Sequence, residues 1–442
     1  MKSFLIDMKS VVKSYFFLSL ITFLILLVIF SAKYFSYREN DIKNYRESLY
    51  RKMAVRSMLD KLTDTENDTG TANRYTMNAF GDASRNYTDK NHREFNLNMA
   101  RFYLGTWEMY TELSEEWNSL SVRERNVSPQ EYYGENWDYV KKSLDYPTFS
   151  AIEKVNTDMT DTDVQVMQTT YYYELFKRDL EEQFSYSTGP WAIIYNLNRK
   201  WVSKIIVIVS LLLGASIYSK QLEDGIIKTK LSIGVNRKKY LFNSLLMSVT
   251  SAVLIFIIPL IFIFIVQSLK YGLKGYDFPV LMDKFVISYF RADKILPSAA
   301  SNIQKLNTIG LSTYVGIGPM QSLLDRVVYV PLWQNILLSL GITLLSIVFW
   351  SSLGLIIAIF FKGSFKSISI ALGFYLTTYL PALLNENLTG TIFDLPGLTN
   401  SVNIIQGFQQ VTLLQILLLY LVGGMLLLWF ALTKFKRLDI LK

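Results

Sequence analysis

Apolar and polar residues are distributed along this chain in long blocks. Six apolar blocks stand out: Tyr15–Ala32, Trp201–Tyr218, Leu241–Val266, Trp333–Phe361, Ser367–Leu384 and Val411–Thr433. Each approaches or exceeds the roughly 20 residues that a helix needs to cross a bilayer, so the pattern predicts six spans. Pro259 falls inside the third span and Pro381 inside the fifth, where each is expected to bend or weaken the helix. The fourth block is longer than required, which predicts a tilt. Lys204 lies near one end of the second, within snorkelling reach of the interface.

Between the first two spans lies a polar block, Lys33–Lys200, large enough to bury its own core. Its periodicity is helical. Phe95, Met99, Phe102, Tyr103, Tyr110, Leu113, Trp117 and Leu120 recur at threes, fours and sevens, predicting an amphipathic helix over roughly 90–122. Ser128-Pro129-Gln130-Glu131 reads as a capping box that opens another helix, and 161–184 reads as a third. Gly189-Pro190 interrupts the chain before Trp191 and Trp201, two candidate interfacial anchors. A further segment, 267–332, carries Pro279, Pro297, Gly310, Gly316, Gly318 and Pro319; it is moderately apolar and is expected outside the spans, re-entering the membrane or lying on it.

The expected fold class is an all-α polytopic membrane protein. Six transmembrane helices would carry a mainly helical extracellular domain inserted between the first and second. The expected divisions are 1–32 (interfacial helix and first span), 33–200 (outer domain) and 201–266 (second and third spans with their connecting loop). Residues 267–332 form an outer segment, and 333–442 the last three spans with a basic tail. In residues 1–14, Phe4, Leu5, Met8, Val11 and Val12 share one helical face, which suits a helix lying in the interface. A cleaved signal peptide is the rival reading, but Phe30 would occupy its −3 place if cleavage followed Ala32.

Composition narrows the chemistry. The chain has 442 residues, 50% hydrophobic and 19% charged, with a mean hydropathy of +0.22. With no cysteine and one histidine, His92, disulfides, thiolate metal sites and two-histidine zinc motifs are excluded. No Gly-Lys dipeptide occurs, so there is no P-loop, and no cofactor is expected on this chain. Any ATP-Mg would belong to a partner subunit. The net charge of +8 is unevenly placed: residues 33–200 hold 22 Lys+Arg against 27 Asp+Glu, and the remainder of the chain is strongly basic. That excess flanks the apolar blocks, as the positive-inside rule expects, and does not form a nucleic-acid footprint. Both termini are therefore expected on the cytoplasmic side of a cell membrane. Apart from Lys204 in the second block, the spans lack Asp, Glu, Lys, Arg and His, which disfavours proton coupling and voltage sensing.

The most distinctive stretch is Ser219–Tyr240, between the second and third spans. Lys220, Lys228, Lys230, Arg237, Lys238 and Lys239 face only Glu223 and Asp224. Leu222, Ile226, Ile227 and Leu231 follow helical spacing, predicting a short amphipathic helix over Leu222–Ser232 that closes near Gly234. One reading makes it a docking element for another protein. The other rests it on anionic membrane lipid, which its lysines suit equally.

Glu223-Asp224-Gly225-Ile226-Ile227-Lys228, followed by Leu231, Gly234, Arg237 and Lys238, resembles the coupling helix of ABC exporter permeases of the type-2 class. Six spans, an interfacial N-terminal helix and a large outer block are also similar to the bacterial lipid- and drug-export branch of that class. The resemblance covers most of 1–270 and 333–442; segment 267–332 is longer than the family's usual connection. It implies that residues 221–234 enter a cleft on a cytoplasmic ABC ATPase, with Glu223 and Arg237 holding the two ends. It also implies a second permease copy or a related permease, and export of an amphipathic or hydrophobic cargo such as a peptide, lipid or drug. The alternatives are a sensor whose outer domain binds a ligand, or a membrane enzyme acting on lipid or cell-wall precursors. For the enzyme, Asp277, Asp283 and Asp293 are the best candidates.

Overall fold

The computed structural model describes residues 8–9, 11, 15–63, 71–117, 130, 133–144, 162–183, 186–284, 296–297, 314–315, 327–384, 394–407, 409 and 411–437. Six of its helices are long and apolar enough to cross a membrane, and the chain is a polytopic, predominantly helical membrane protein.

The first of them, α1 (Tyr15–Thr63), does not stop where the apolar run ends. Its 49 residues contain neither Gly nor Pro, and nothing after Ala32 breaks a helix. One continuous helix runs through the composition change at residue 33. Beyond it, the pairs Lys43–Glu39 and Arg51–Glu47 at i,i+4 support the exposed turns. Of the proposed interfacial helix, Met8 is buried, with its Sδ 3.9 Å from Ser251 Oγ; most of residues 1–14 lie outside the described residues.

The polar block contributes α2 (Thr71–Thr88), α3 (His92–Trp117), α4 (Trp137–Ser143) and α5 (Thr162–Lys177). They pack with the outer half of α1 around an aromatic core. Tyr50 meets Tyr87 and Phe95 with ring centroids 4.6 and 5.4 Å apart, and Tyr103 stacks on Tyr172 at 5.6 Å. Phe95 and Met99, placed on one face by their spacing, are buried there. Of the expected capping box at 128–131, only Gln130 is described, and it is helical. The helix expected over 161–184 ends early, at Lys177. Asp179 takes a left-handed conformation (φ 53°), and Leu180 N–H donates to Leu175 O at 3.0 Å, a Schellman-type close made with Asp instead of Gly.

Gly189 and Pro190 then open α6 (Pro190–Leu197), which passes through a π-turn (Asn198–Val202) into α7 (Ser203–Glu223). The candidate second span, Lys204–Glu223, thus starts and ends later than its apolar block. Burial, with Arg199 and Arg38 nearby, brings the Lys200 ammonium down to about 7; its Nζ lies 3.4 Å from the Tyr186 ring centroid. After α8 (Ile226–Ser232) comes α9 (Arg237–Tyr271), which continues through Pro259.

Segment 267–332 adds two short strand pairs to the predominantly helical chain. It contains β1 (Pro279–Asp283) paired antiparallel with β4 (Val327–Pro331), and β2 (Leu296–Pro297) paired with β3 (Tyr314–Val315). Val327-Val328-Tyr329-Val330 is the β-branched and aromatic composition that suits a half-buried strand. β4 runs directly into α10 (Leu332–Phe361), and Leu332 N–H donates to Phe278 O at 2.8 Å. The chain ends with α11 (Ser364–Leu384), a short α12 (Ser401–Ile405), and α13 (Leu413–Leu418), which passes through a second π-turn into α14 (Gly424–Arg437).

Two elements pack with unusual closeness. A Cβ on Gly214 of α7 would stand 2.2 Å from Ser351 O of α10, and one on Gly354 of α10 would stand 2.2 Å from Leu211 O. The backbones of the second and fourth spans approach as only small residues allow. Toward the start of α10, Asn198 donates from Nδ2 to Ser339 Oγ (2.8 Å) and Ser401 Oγ (3.3 Å), tying the π-turn to α10 and α12.

Candidate docking site at the basic elbow

The turn between α7 and α9 lies at one end of the helix bundle and the polar block at the other. At the polar-block end, Arg178 Nη1 donates to Asp277 O at 2.7 Å, Trp191 Nε1 to Leu273 O at 3.1 Å, and Thr188 Oγ1 to Tyr271 OH at 3.4 Å. At the opposite end, residues 218–240 meet the α10–α11 turn and Phe435 near the end of α14.

The elbow begins one turn later than its spacing predicts. Leu222 and Glu223 are the last residues of α7, so the short helix is Ile226–Ser232 and not Leu222–Ser232. The cause is Gly225, whose φ of 70° reverses the chain and which serves as N-cap of α8. Asp224 is exposed in the turn, its N–H donating to Lys220 O at 2.9 Å. Gly234 (φ 85°) closes α8, with Val235 N–H reaching Lys230 O at 3.1 Å. Asn236 then caps α9 by accepting from Lys238 N–H at 2.9 Å, and Arg237 is the first helical residue.

Half of the predicted site faces inward. Ile227 is fully buried in a cluster with Tyr218, Tyr240, Leu241, Leu355 and Phe435, and Leu222 and Leu231 pack against it. Gln221 accepts from the Tyr240 hydroxyl and, at 3.2 Å, from Ser244 Oγ. Lys230 lies 5.7 Å from the Tyr240 ring centroid. The elbow is therefore bolted to α7, α9, α10 and α14. Its solvent-facing surface presents Ile226 (37% exposed) and Ile233 (74% exposed), with exposed Lys228 further round the helix. These two isoleucines, seven positions apart, share a face.

No family model, curated protein or solved structure matches this chain.

Glu223 is held within its own chain. Its carboxylate accepts from the backbone N–H of Ser364 at 2.7 Å and from the Ser364 hydroxyl, capping the start of α11. The N-terminus of a helix offers unpaired N–H groups and a favourable dipole, so the acid is drawn to its own chain. Lys362, left-handed at φ 50°, makes the turn that brings Ser364 there. Nothing in the pattern around 223 points to a partner 141 positions away. Glu223→Ala should leave the spans in place while amide exchange at Ser364 and Phe365 rises about tenfold, read by hydrogen-exchange mass spectrometry. Unchanged exchange would remove the capping role.

Of the acidic residues named for a lipid or cell-wall enzyme, two are described. Asp283 is fully buried at the end of β1, Asp277 is half-buried in the preceding turn, and Asp293 lies outside the described residues. His92 sits at the start of α3, 3.6 Å from Glu181 in an exposed pair. Among the described residues no group of three His, Asp or Glu is placed to hold a metal.

Proposed function

We propose that this chain is the membrane subunit of an ATP-driven exporter, and that a separate cytoplasmic ABC ATPase binds the outward side of the 223–235 elbow. The observation that carries the reading is the elbow's two-sidedness. Ile227, Leu222 and Leu231 fasten its inner side to the bundle, while Ile226, Lys228 and Ile233 are left facing solvent. Two isoleucines on one exposed face form a small apolar patch that a partner could cover. The basic character of this end supports placing it in the cytoplasm.

Force applied there has a short route into the spans. α8 is joined to α7 and α9 by single tight turns, and Glu223, the last residue of α7, holds the start of α11. Closure of two ATPase subunits would press on α8, tilt the second, third and fifth spans together, and open a pathway between two permease chains. With apolar spans, the cargo is amphipathic or hydrophobic: a peptide, lipid or drug.

Co-purification tests this. Tagged chain expressed in its native membrane should bring down a nucleotide-hydrolysing subunit. Ile233→Glu, at a 74% exposed position, should cut that recovery by about tenfold or more, as loss of an interface anchor does. The same variant should elute from size exclusion like the parent. A parent chain that captures no ATPase, or an Ile233→Glu variant that captures as much as the parent, overturns the proposal.

A further inference from the structure

An open apolar groove of about 670 Å³ runs along the bundle at the polar-block end. Its walls come from α6, the second half of α9 and the first turns of α10, and include Trp191, Ile261, Phe264, Tyr276, Trp333 and Leu337. We propose that this groove holds one acyl chain of an anionic phospholipid, whose phosphate is received by Lys274. The site is independent of the ATPase-docking reading.

The shape argues for a resident chain. Ile261 (53% exposed) and Leu337 (59% exposed) open the groove sideways, toward the hydrocarbon that surrounds a spanning helix. Its volume is that of a small-molecule site, and a hydrocarbon tail matches walls that are almost wholly apolar. Water there would gain almost no hydrogen bonds. The groove is also held in form. Trp191 meets Phe264 edge to face at 5.2 Å and Tyr276 at 6.4 Å, and its indole N–H is fixed by Leu273 O.

The groove's end supplies the headgroup argument. Trp191, Tyr276 and Trp333 gather at the level where α9 finishes and α10 starts, the aromatic arrangement expected at a headgroup boundary. The turn running from Gly272 to Asp277 crosses that level, and its position is set by the Trp191–Leu273 bond and by Trp333 N–H donating to Tyr276 O at 2.9 Å. Lys274 stands exposed on this turn, two residues from the groove-lining Tyr276, and Lys270 is exposed as the penultimate residue of α9. Asp277, the nearest acid in sequence, points its backbone carbonyl at Arg178 and is half-buried. An apolar slot ended by amphipathic rings and two cations is complementary to a chain with a phosphate at its head.

Native mass spectrometry of the full chain gives the test. The protein is equilibrated with equal phosphatidylglycerol and phosphatidylcholine, then brought to limiting detergent. One phosphatidylglycerol should remain per chain. Leu337→Trp, which fills the groove, should remove it. Lys274→Glu should lower the glycerol-to-choline ratio about fivefold or more, as loss of a surface cation beside an anionic lipid predicts. A parent that keeps no lipid, or a Leu337→Trp protein that keeps as much as the parent, overturns the acyl-chain site. An unchanged ratio in Lys274→Glu overturns the headgroup assignment. Should Leu337→Trp fail to fold, a bimane label on Leu337→Cys serves instead, since the chain has no other thiol. About one brominated phosphatidylglycerol per chain should quench it more than a label on the exposed Leu376→Cys of α11; equal quenching overturns the site.

Discussion

Gly354→Leu is expected to abolish recovery of folded protein. The added Cβ alone would fall 2.2 Å from Leu211 O and 2.8 Å from Ala215 N. Both obstacles are backbone atoms of a buried helix, so no side chain can swing aside; one of the two spans would have to move bodily. Overpacking against adaptable side chains costs about 1–3 kcal/mol, and a rigid backbone obstacle should exceed that. Gly214→Leu should behave alike, because its Cβ would meet Ser351 O at 2.2 Å from the opposite side of the same contact. Gly373→Ala supplies the control: a Cβ there meets nothing within 4 Å, so stability should change by no more than about 1 kcal/mol. Thermal midpoints from fluorescence-detected size exclusion in detergent separate these outcomes. A Gly354→Leu protein that melts like the parent would mean that the second and fourth spans do not pack backbone to backbone.

The six spans were legible because a bilayer imposes its own length on any helix that crosses it. Their ends were less so, and each for a separate reason. The apolar run of α1 stops at Ala32, yet the helix continues to Thr63 because polar residues such as Arg38, Glu39 and Lys43 propagate a helix as well as leucine does. Leu222 fitted the period of α8 and belongs to α7, since one left-handed glycine at 225 resets the phase. The closing turn after Lys177 is made by Asp179, a residue type that signals a helix end far less strongly than glycine. The β1–β4 pair joins segments whose prolines and glycines hid any period.

For the elbow, the amphipathic pattern identified the element, and the structure divides its residues. Ile227 and Leu231 serve the fold, whereas Ile226, Lys228 and Ile233 are left exposed. Both Ile226 and Ile227 follow helical spacing, and only the position of the neighbouring helices decides which one is covered. The glycines at 214 and 354 carried no warning either. A helix records that a residue is small, but not which helix across the bilayer requires it to be.

The second large effect is expected in the polar block, at Arg46 and Glu182. Arg46 is 2% exposed; its guanidinium pairs with the Glu182 carboxylate and also donates to Tyr172 OH at 3.4 Å. The Tyr172 hydroxyl in turn donates to Glu182 at 3.0 Å. Glu182 is delivered by the stretch that the Asp179 turn releases from α5, so this triad fastens the extended half of α1 to the end of α5. Removing one partner leaves a charge without its counterion in an aromatic surround, which costs about 3–5 kcal/mol. Glu182→Ala should therefore lower the thermal midpoint steeply, and amide exchange in α1 around residues 39–50 should rise toward that of an unpacked helix. Arg46→Met combined with Glu182→Leu should recover most of the loss, because an apolar pair of similar volume escapes the desolvation that the ions incur. If Glu182→Ala melts within about 0.5 kcal/mol of the parent, the triad is hydrated and α1 is held to the polar block by its aromatic contacts and by the Glu39 bonds from Ser187 and Thr188. If the double variant is no better than Glu182→Ala, the charges are needed to seat the 180–182 stretch, and α1 and α5 find their relative position through that pair.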